Sequence, residues 1–192
     1  SSGNPRDSIV GVGWSLTGLS AVVRCAKDQV RDGELVPVSL TSSDRFCLDG
    51  QRLELISGTY GTPGSTYRKE NDDQSTITAV GGSASNGPQY FKVETKSGDT
   101  HLYGNPAGYS GLYVNSSDPY DAFVEPSGTS QGVKARIWAL KATEDIKTNY
   151  ILYEYEKDTD EGIHRVKKIK YTGQRTSSSA PFAEVSFEYV SY

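Results

Sequence analysis

Few residues of this chain have the types and spacing that support metal binding. The clearest candidate is the acidic run Asp158-Thr159-Asp160-Glu161-Gly162. Alternating carboxylates suit Ca²⁺, but the glycine comes one residue too early for a calcium loop and no glutamate follows at the bidentate position. We therefore predict that this run forms the tip of a β-hairpin and that it binds no metal.

The other nucleophilic and basic side chains show no catalytic pattern. His101 and His164 are the only histidines, and neither has a second ligand at metal-binding spacing. No Cys/His signature surrounds Cys25 or Cys47, and no serine occupies a nucleophile elbow. Folding could still bring two carboxylates together, which one sequence does not exclude. We predict no catalytic, cofactor-binding or metal-binding residue and no enzymatic activity.

Two glycine motifs have a ligand-binding and a structural interpretation. Gly11 and Gly13 flank Val12 just before Trp14, which suits either a close approach of the backbone to a ligand or a bend that turns Trp14 into the core. Without a following helix, the motif is no dinucleotide fingerprint. The dipeptide 49–50, Asp-Gly, is interpreted as a tight turn rather than a carboxylate site. We favour the structural interpretation of both.

Charge and hydropathy argue against a nucleic-acid partner and against membrane insertion. The formal net charge is −4 with both signs interspersed, which disfavours binding to a phosphate backbone. The one basic cluster, Arg165, Lys167, Lys168 and Lys170, divides between both faces of a strand. No apolar run approaches the roughly 20 residues that span a bilayer. We predict no nucleic-acid partner and no direct membrane insertion.

The elements that would position these residues are strands, because apolar residues recur with period two and no long helical stripe competes. The 192 residues fit one domain or one segment of a larger one. We predict an all-β fold, with antiparallel strands and hairpins in a twisted or curved sheet. The predicted strands alternate over Arg52 to Ser57, Tyr90 to Thr95, Thr100 to Tyr103, Val133 to Ala139, Ile151 to Tyr155 and Ala183 to Tyr189. The second and third of these are predicted to form a hairpin closed by the turn-forming residues 96–99.

Two regions leave alternatives open. Residues 105–132 are rich in Gly, Ser, Pro and Tyr, and we predict a long loop that contains short strand pieces such as Gly111 to Asn115. The loop is either a surface excursion or a surface that meets another part of a larger protein. Cys25 and Cys47 form a disulfide only if the protein is exported, which their spacing alone does not decide.

Three blocks of sequence carry a resemblance to a known family. The blocks are GVGWSL with LSAVVRC (11–16 and 19–25), DRFCLDGQRL with SGTYG and STYR (44–53, 57–61 and 65–68), and RIWAL with ED, NYI and IKYTG (136–140, 144–145, 149–151 and 169–173). In this order they resemble the N-terminal region of SpvB-type virulence-plasmid proteins and of the TcB component of insecticidal toxin complexes, both related to RHS/YD-repeat proteins.

The resemblance implies a non-catalytic structural module of a large secreted bacterial toxin-type protein. Family members are very large, and the TcB-type subunits form a hollow β-shell around a toxic polypeptide. The partners would be the remainder of the parent polypeptide and other toxin-complex subunits. Because this chain begins and ends inside the family pattern, we expect 1–192 to be a single β segment excised from a larger protein. Within an exported family, we predict a Cys25–Cys47 disulfide.

The alternative function is a carbohydrate- or cell-surface-binding β module. The tyrosine-rich segments Tyr150 to Tyr155 and Phe182 to Tyr192 would then form a platform on which sugar rings stack. Aromatic pairs also stabilise ordinary sheets, so packing within the sheet is the competing interpretation. The two functions differ in what the exposed aromatic side chains contact.

Overall fold

The computed structural model describes residues 19–112, 118–126, 128–130, 133–158 and 163–190. These residues form antiparallel strands and one short helix, which confirms the predicted all-β class. The elements are β1 (Ala21–Cys25), α1 (Gln29–Asp32), β2 (Arg45–Leu48), β3 (Gln51–Ser57), β4 (Thr66–Lys69), β5 (Thr76–Val80), β6 (Tyr90–Glu94), β7 (Thr100–Gly104), β8 (Phe123–Val124), β9 (Ile137–Glu144), β10 (Asn149–Asp158), β11 (Ile163–Gln174) and β12 (Ala183–Ser186).

Eight of the strands close into a barrel. Strands β1 to β7 pair in sequence order, β7 then pairs with β9, and β9 pairs back with β1. The sequence predicts a curved sheet but not this closure. Closure removes the free edges of the eight strands, since every one of them has a partner on both sides.

Strands β10 to β12 form an extension that we call the arm. The arm leaves the barrel at β9, where Tyr150 pairs with Glu144, and continues through the β10–β11 hairpin to β12. Asp158 pairs with Ile163 at the end of that hairpin, as predicted. The tip itself, 159–162, lies outside the described residues, so the absence of a metal there stays a prediction.

The barrel interior is packed with aromatic rings. Trp138 is completely buried, and its indole ring lies edge-on to Phe46 and Phe91, with ring centroids 5.5 and 5.3 Å away. Its Nε1 donates a hydrogen bond to the carbonyl of Pro88. The buried guanidinium of Arg24 lies over the Trp138 ring, 5.6 Å from its centroid. Such pairs add stabilisation beyond the area that they bury.

A disulfide joins neighbouring strands of the barrel wall. Cys25 of β1 and Cys47 of β2 are bonded, with their Cα atoms 6.0 Å apart. The two strands pair in a register that sets Cys25 opposite Arg45 and Val23 opposite Cys47. The predicted disulfide is therefore confirmed, and it crosslinks strands that are also hydrogen-bonded.

Two predicted turns are confirmed. Strands β6 and β7 form the hairpin closed by residues 96–99. Asp49 and Gly50 connect β2 to β3, with φ angles of 51° and 81°. Two successive positive φ angles are those of a two-residue hairpin turn, which explains why Asp-Gly stands there.

Three predicted strands need correction. Strand β9 begins at Ile137 rather than at Val133, and its residues 138–142 are all buried, because it lies between strands on both edges with side chains packed on both faces. In β10 the buried face runs through Tyr150, Leu152 and Glu154 instead of the predicted Ile151 and Tyr153. A bulge between Glu154 and Tyr155 then turns Tyr155 to the buried side as well. Strand β12 ends at Ser186, short of the predicted Tyr189.

The predicted long loop holds one short strand. Strand β8 lies within 105–132 and pairs with β9, and several neighbouring side chains are buried. Residues 113–115 of the predicted strand piece, and the Gly11–Trp14 motif, lie outside the described residues. No helix in the described part of the chain is long and apolar enough to cross a membrane.

Candidate functional site

The junction of barrel and arm is built around a buried ion pair. Leu102 pairs with Ala142 and Tyr103 with Leu140, so Lys141 is the extra residue of a bulge in β9. Its ammonium donates to both carboxylate oxygens of Asp121, at 2.6 and 2.7 Å, and both side chains are buried. Burial raises the pKa of Asp121, and the charge of Lys141 opposes that rise.

Asp121 also fastens the arm to the barrel. Its carboxylate accepts a hydrogen bond from the Tyr155 amide at 3.0 Å, and its carbonyl lies 2.9 Å from Nε2 of His164. The Tyr155 hydroxyl donates to the carbonyl of Leu140 at 2.6 Å. One residue of the predicted loop therefore links β9, β10 and β11, and its polar atoms are satisfied as burial requires.

His164 has a structural environment. Its ring stacks on Tyr155 with centroids 4.8 Å apart, and burial lowers its pKa below the ordinary value. His101 lies on β7, and burial likewise lowers its pKa. In the described ranges, no three His, Cys, Asp or Glu residues are grouped so that they could hold a metal ion. The predicted absence of catalysis is not tested by this geometry and stays a prediction.

The predicted basic cluster is compensated within the arm. Arg165 pairs with Glu156, Lys168 with Glu184, and Lys170 with Glu154, each across neighbouring strands at 2.7–3.2 Å. Opposite charges on facing strands stabilise a sheet modestly. Three of the four cluster residues therefore have an acidic partner nearby, as expected for a solvated hairpin.

Two of the tyrosines that would form a sugar platform are turned inward. Tyr150 and Tyr155 are both buried. The Tyr150 ring covers Gly173 so closely that a Cβ atom there would come within 2.4 Å of it. A platform that uses these two rings is therefore wrong, and the competing interpretation, packing within the sheet, holds for them.

The outer edge of the arm combines exposed apolar side chains with unpaired backbone groups. Strand β12 pairs with β11 on one side and, among the described residues, with no strand on the other. Phe182, Val185 and Val190 are 84%, 47% and 77% exposed. The Phe187 amide donates to the carbonyl of Lys167, so alternation turns the amides of residues 184 and 186 toward the open side.

A second surface lies between the arm and the outer wall of the barrel. There the outward side chains of β1 and β9 and the first residues of β11 enclose an open cleft of about 330 Å³. Its floor is aliphatic and its rim is polar. Its apolar lining includes Leu19, Ala21, Val23, Ile137 and Ala139, with Tyr155 beside them.

Comparisons with known proteins identify relatives by fold alone. No protein-family model matches the chain, and no curated protein matches it significantly in sequence. The N-terminal domain of effector protein SpvB from Salmonella typhimurium strain LT2 shares the fold with a TM-score of 0.60 and 16% identity, over 91% of this chain and 58% of that chain.

Toxin-complex chains share the fold as well. A chain of the TcdB2-TccC3-TEV structure matches with a TM-score of 0.58 and 16% identity, over 93% of this chain and 9% of that one. A chain of the Photorhabdus luminescens Tc holotoxin pore matches with 0.55 and 17%, over 88% and 8%. The resemblance to SpvB- and Tc-type proteins that the sequence predicts is thereby confirmed at the level of fold. The chain spans under two thirds of the length of the SpvB chain and less than a tenth of the length of the two toxin-complex chains.

Proposed function

We propose that this chain is a non-catalytic structural module of a large secreted bacterial toxin-type polypeptide, and that its arm packs against the remainder of that polypeptide. The shared fold with SpvB and Tc chains supports the toxin-type context. The disulfide supports an exported protein, because such bonds persist in oxidising compartments.

The observation that carries the docking proposal is the open edge of β12. An unpaired strand edge presents amides and carbonyls that a further strand satisfies. Apolar side chains flank this edge, with Phe182 and Val190 far more exposed than the apolar residues of the barrel core. Burying apolar surface favours association at about 25 cal/mol per Å². The edge and its side chains therefore suit an added β-strand from the same polypeptide.

One substitution at the edge tests this proposal. Ser186 has its amide on the open side of β12, so Ser186→Pro removes a donor that the added strand would use while the bonds to β11 remain. In the full polypeptide encoded by the gene, we expect Ser186→Pro to expose the arm to limited proteolysis, and the matched Ser186→Ala to leave it protected. Equal protection of wild type and Ser186→Pro, with cleavage of neither, would overturn strand addition at this edge.

We also propose that this module contributes to a β-shell and contacts other subunits of a toxin complex. In the Tc structures the matching region is a small part of a much longer chain. A closed barrel with a protruding, edge-bearing sheet suits a building block of a larger β-structure. The carbohydrate-binding alternative loses Tyr150 and Tyr155 to the core, whereas Phe182 of its second segment is exposed.

A further inference from the structure

The two ends of the barrel differ, because one is covered by a loop and the other holds an open pocket. At the covered end, the β5–β6 loop provides carbonyls that accept hydrogen bonds from two buried side chains, Pro88 from Trp138 and Asn86 from Arg24. At the other end, the starts of β1, β5 and β7 and the ends of β2, β4, β6 and β9 surround a pocket of about 400 Å³, which we call the mouth. The mouths of β-barrels are frequent places for ligand sites.

The mouth has an apolar floor with aromatic rings beside it. Leu48, Val93 and Leu140 line it, and all three are buried members of the barrel core. Tyr103 of β7 and Tyr153 of the arm add two rings to the lining, and Tyr153 packs against the same core. A ligand with an apolar face therefore finds a matching surface here.

One side of the rim presents hydrogen-bond acceptors. The Ser20 hydroxyl donates to Oδ2 of Asp49 at 2.6 Å and lies 2.9 Å from the Tyr103 hydroxyl. Because a serine hydroxyl has one hydrogen, the Tyr103 hydroxyl donates to Ser20. The hydrogens of both hydroxyls are thereby used, and the remaining lone pairs of the Asp49 carboxylate and of the Tyr103 oxygen can accept from a ligand.

Other rim residues present donors. Lys69 Nζ donates to Oδ2 of Asp73 at 2.7 Å, which leaves two further N–H groups on the ammonium. His101 also lines the mouth, and its ring nitrogens have no hydrogen-bond partner among the described residues. Burial lowers the pKa of His101, so at neutral pH the ring offers one donor and one acceptor.

The charges of the rim favour a neutral ligand. An anionic ligand would meet the carboxylates of Asp49 and Asp73, and a cationic ligand would meet the ammonium of Lys69. A sugar ring is neutral, has an apolar face of C–H groups, and carries hydroxyls that each donate and accept. The pocket volume lies near the lower end of the roughly 300–1,000 Å³ that ligand pockets span, which suits one or two such rings.

We propose that the mouth of the barrel binds a neutral monosaccharide unit, with its apolar face on the floor and its hydroxyls bonded to Asp49, Lys69 and His101. The site uses Tyr153 of the predicted sugar platform and otherwise residues of the barrel. This inference does not depend on the proposed toxin function, and strand addition at the edge of β12 can fail without affecting it.

Saturation-transfer difference NMR on the full chain tests the proposal with four probes, the methyl α-glycosides of glucose, galactose, mannose and N-acetylglucosamine. We expect at least one of them, at millimolar concentration, to receive saturation at its ring protons. Cyclohexanol, which has an apolar ring but a single hydroxyl, should receive far less because it leaves the polar rim without partners. No transfer to any of the four sugars, or equal transfer to cyclohexanol, would overturn the proposal.

A matched pair of lysine substitutions locates the site. Lys69→Met removes the ammonium from the mouth, and we expect the sugar to bind about tenfold more weakly, since a charge-assisted hydrogen bond is lost. Lys92 is likewise paired with a carboxylate, that of Glu94, but does not line the mouth, so Lys92→Met should bind like the wild type. His101→Phe keeps a ring without its nitrogens and should also weaken binding. Wild-type affinity in both Lys69→Met and His101→Phe would contradict binding in the mouth.

Discussion

The barrel and the arm differ in how their strand edges are paired. The eight barrel strands satisfy each other in a closed ring, and their side chains converge on a buried aromatic core. The arm grows from one barrel strand and ends in a four-residue strand whose side chains are mostly exposed. Stability should therefore reside in the barrel, while the arm is the part whose edge and surface remain available to a partner.

The largest expected effect comes from the barrel core. Replacing Trp138 by alanine removes a fully buried ring that contacts Phe46 and Phe91. We expect a loss of about 3–5 kcal/mol in the free energy of unfolding. The matched truncation in the arm, Val185→Ala, should stay within about 0.5 kcal/mol because that side chain is half-exposed. Urea unfolding of both variants measures the difference, and similar losses would contradict the division of stability.

Breaking the buried ion pair at the junction should lower the free energy of unfolding almost as much as truncating Trp138. Lys141→Met leaves the buried Asp121 carboxylate without its cation, which should cost about 3–5 kcal/mol. Adding Asp121→Asn removes the orphaned charge and should recover much of the loss. The exposed pair of Lys168 and Glu184 serves as the control, since Lys168→Met should lower the free energy of unfolding far less than Lys141→Met. A double variant as unstable as Lys141→Met would show that the charge is not the cause.

The disulfide should contribute less to the free energy of unfolding than the Trp138 side chain does. It closes a loop with a sequence separation of 22, which corresponds to about 3 kcal/mol in the chain-entropy model. We expect the double variant Cys25→Ala/Cys47→Ala to lose about that amount while keeping its far-UV circular dichroism, because the two strands remain hydrogen-bonded. Alkylation of the denatured wild-type protein should find no free thiol, and two alkylated thiols in protein from an oxidising compartment would refute the bond.

The smallest expected effect is a pH dependence of the free energy of unfolding, which arises from His164 at the junction. Burial lowers the pKa of His164 in the folded state, so below the ordinary pKa of 6.5 the unfolded chain binds a proton that the folded chain does not. Stability should therefore fall as pH drops from about 7.5 to 5.5, by at most about 1.4 kcal/mol per pH unit for one proton. His164→Gln should flatten part of this slope. His101→Gln reports the contribution of the other histidine, which is also half-buried, to the slope. A slope that neither variant changes would contradict this account.

Sequence predicts the local structure of this chain better than its long-range structure. The Asp49-Gly50 turn and the β6–β7 hairpin are set by neighbouring residues, and both are correct. Barrel closure depends on β9 pairing with β1, more than 110 residues earlier, and no local pattern signals it. The ion pair of Lys141 and Asp121 was missed for the same reason. Its only local signal is a lysine within the apolar run Trp138 to Ala142.

Hydrogen–deuterium exchange on the isolated chain and on the full polypeptide tests the central claim most directly. In the isolated chain, amides of β6, β7 and β9 should exchange slowly, and the open-side amides of Glu184 and Ser186 should exchange fast. In the full polypeptide the barrel amides should be unchanged, whereas the β12 amides should become protected. Equal exchange of β12 in both contexts would contradict the docking of the arm and make this chain an autonomous domain.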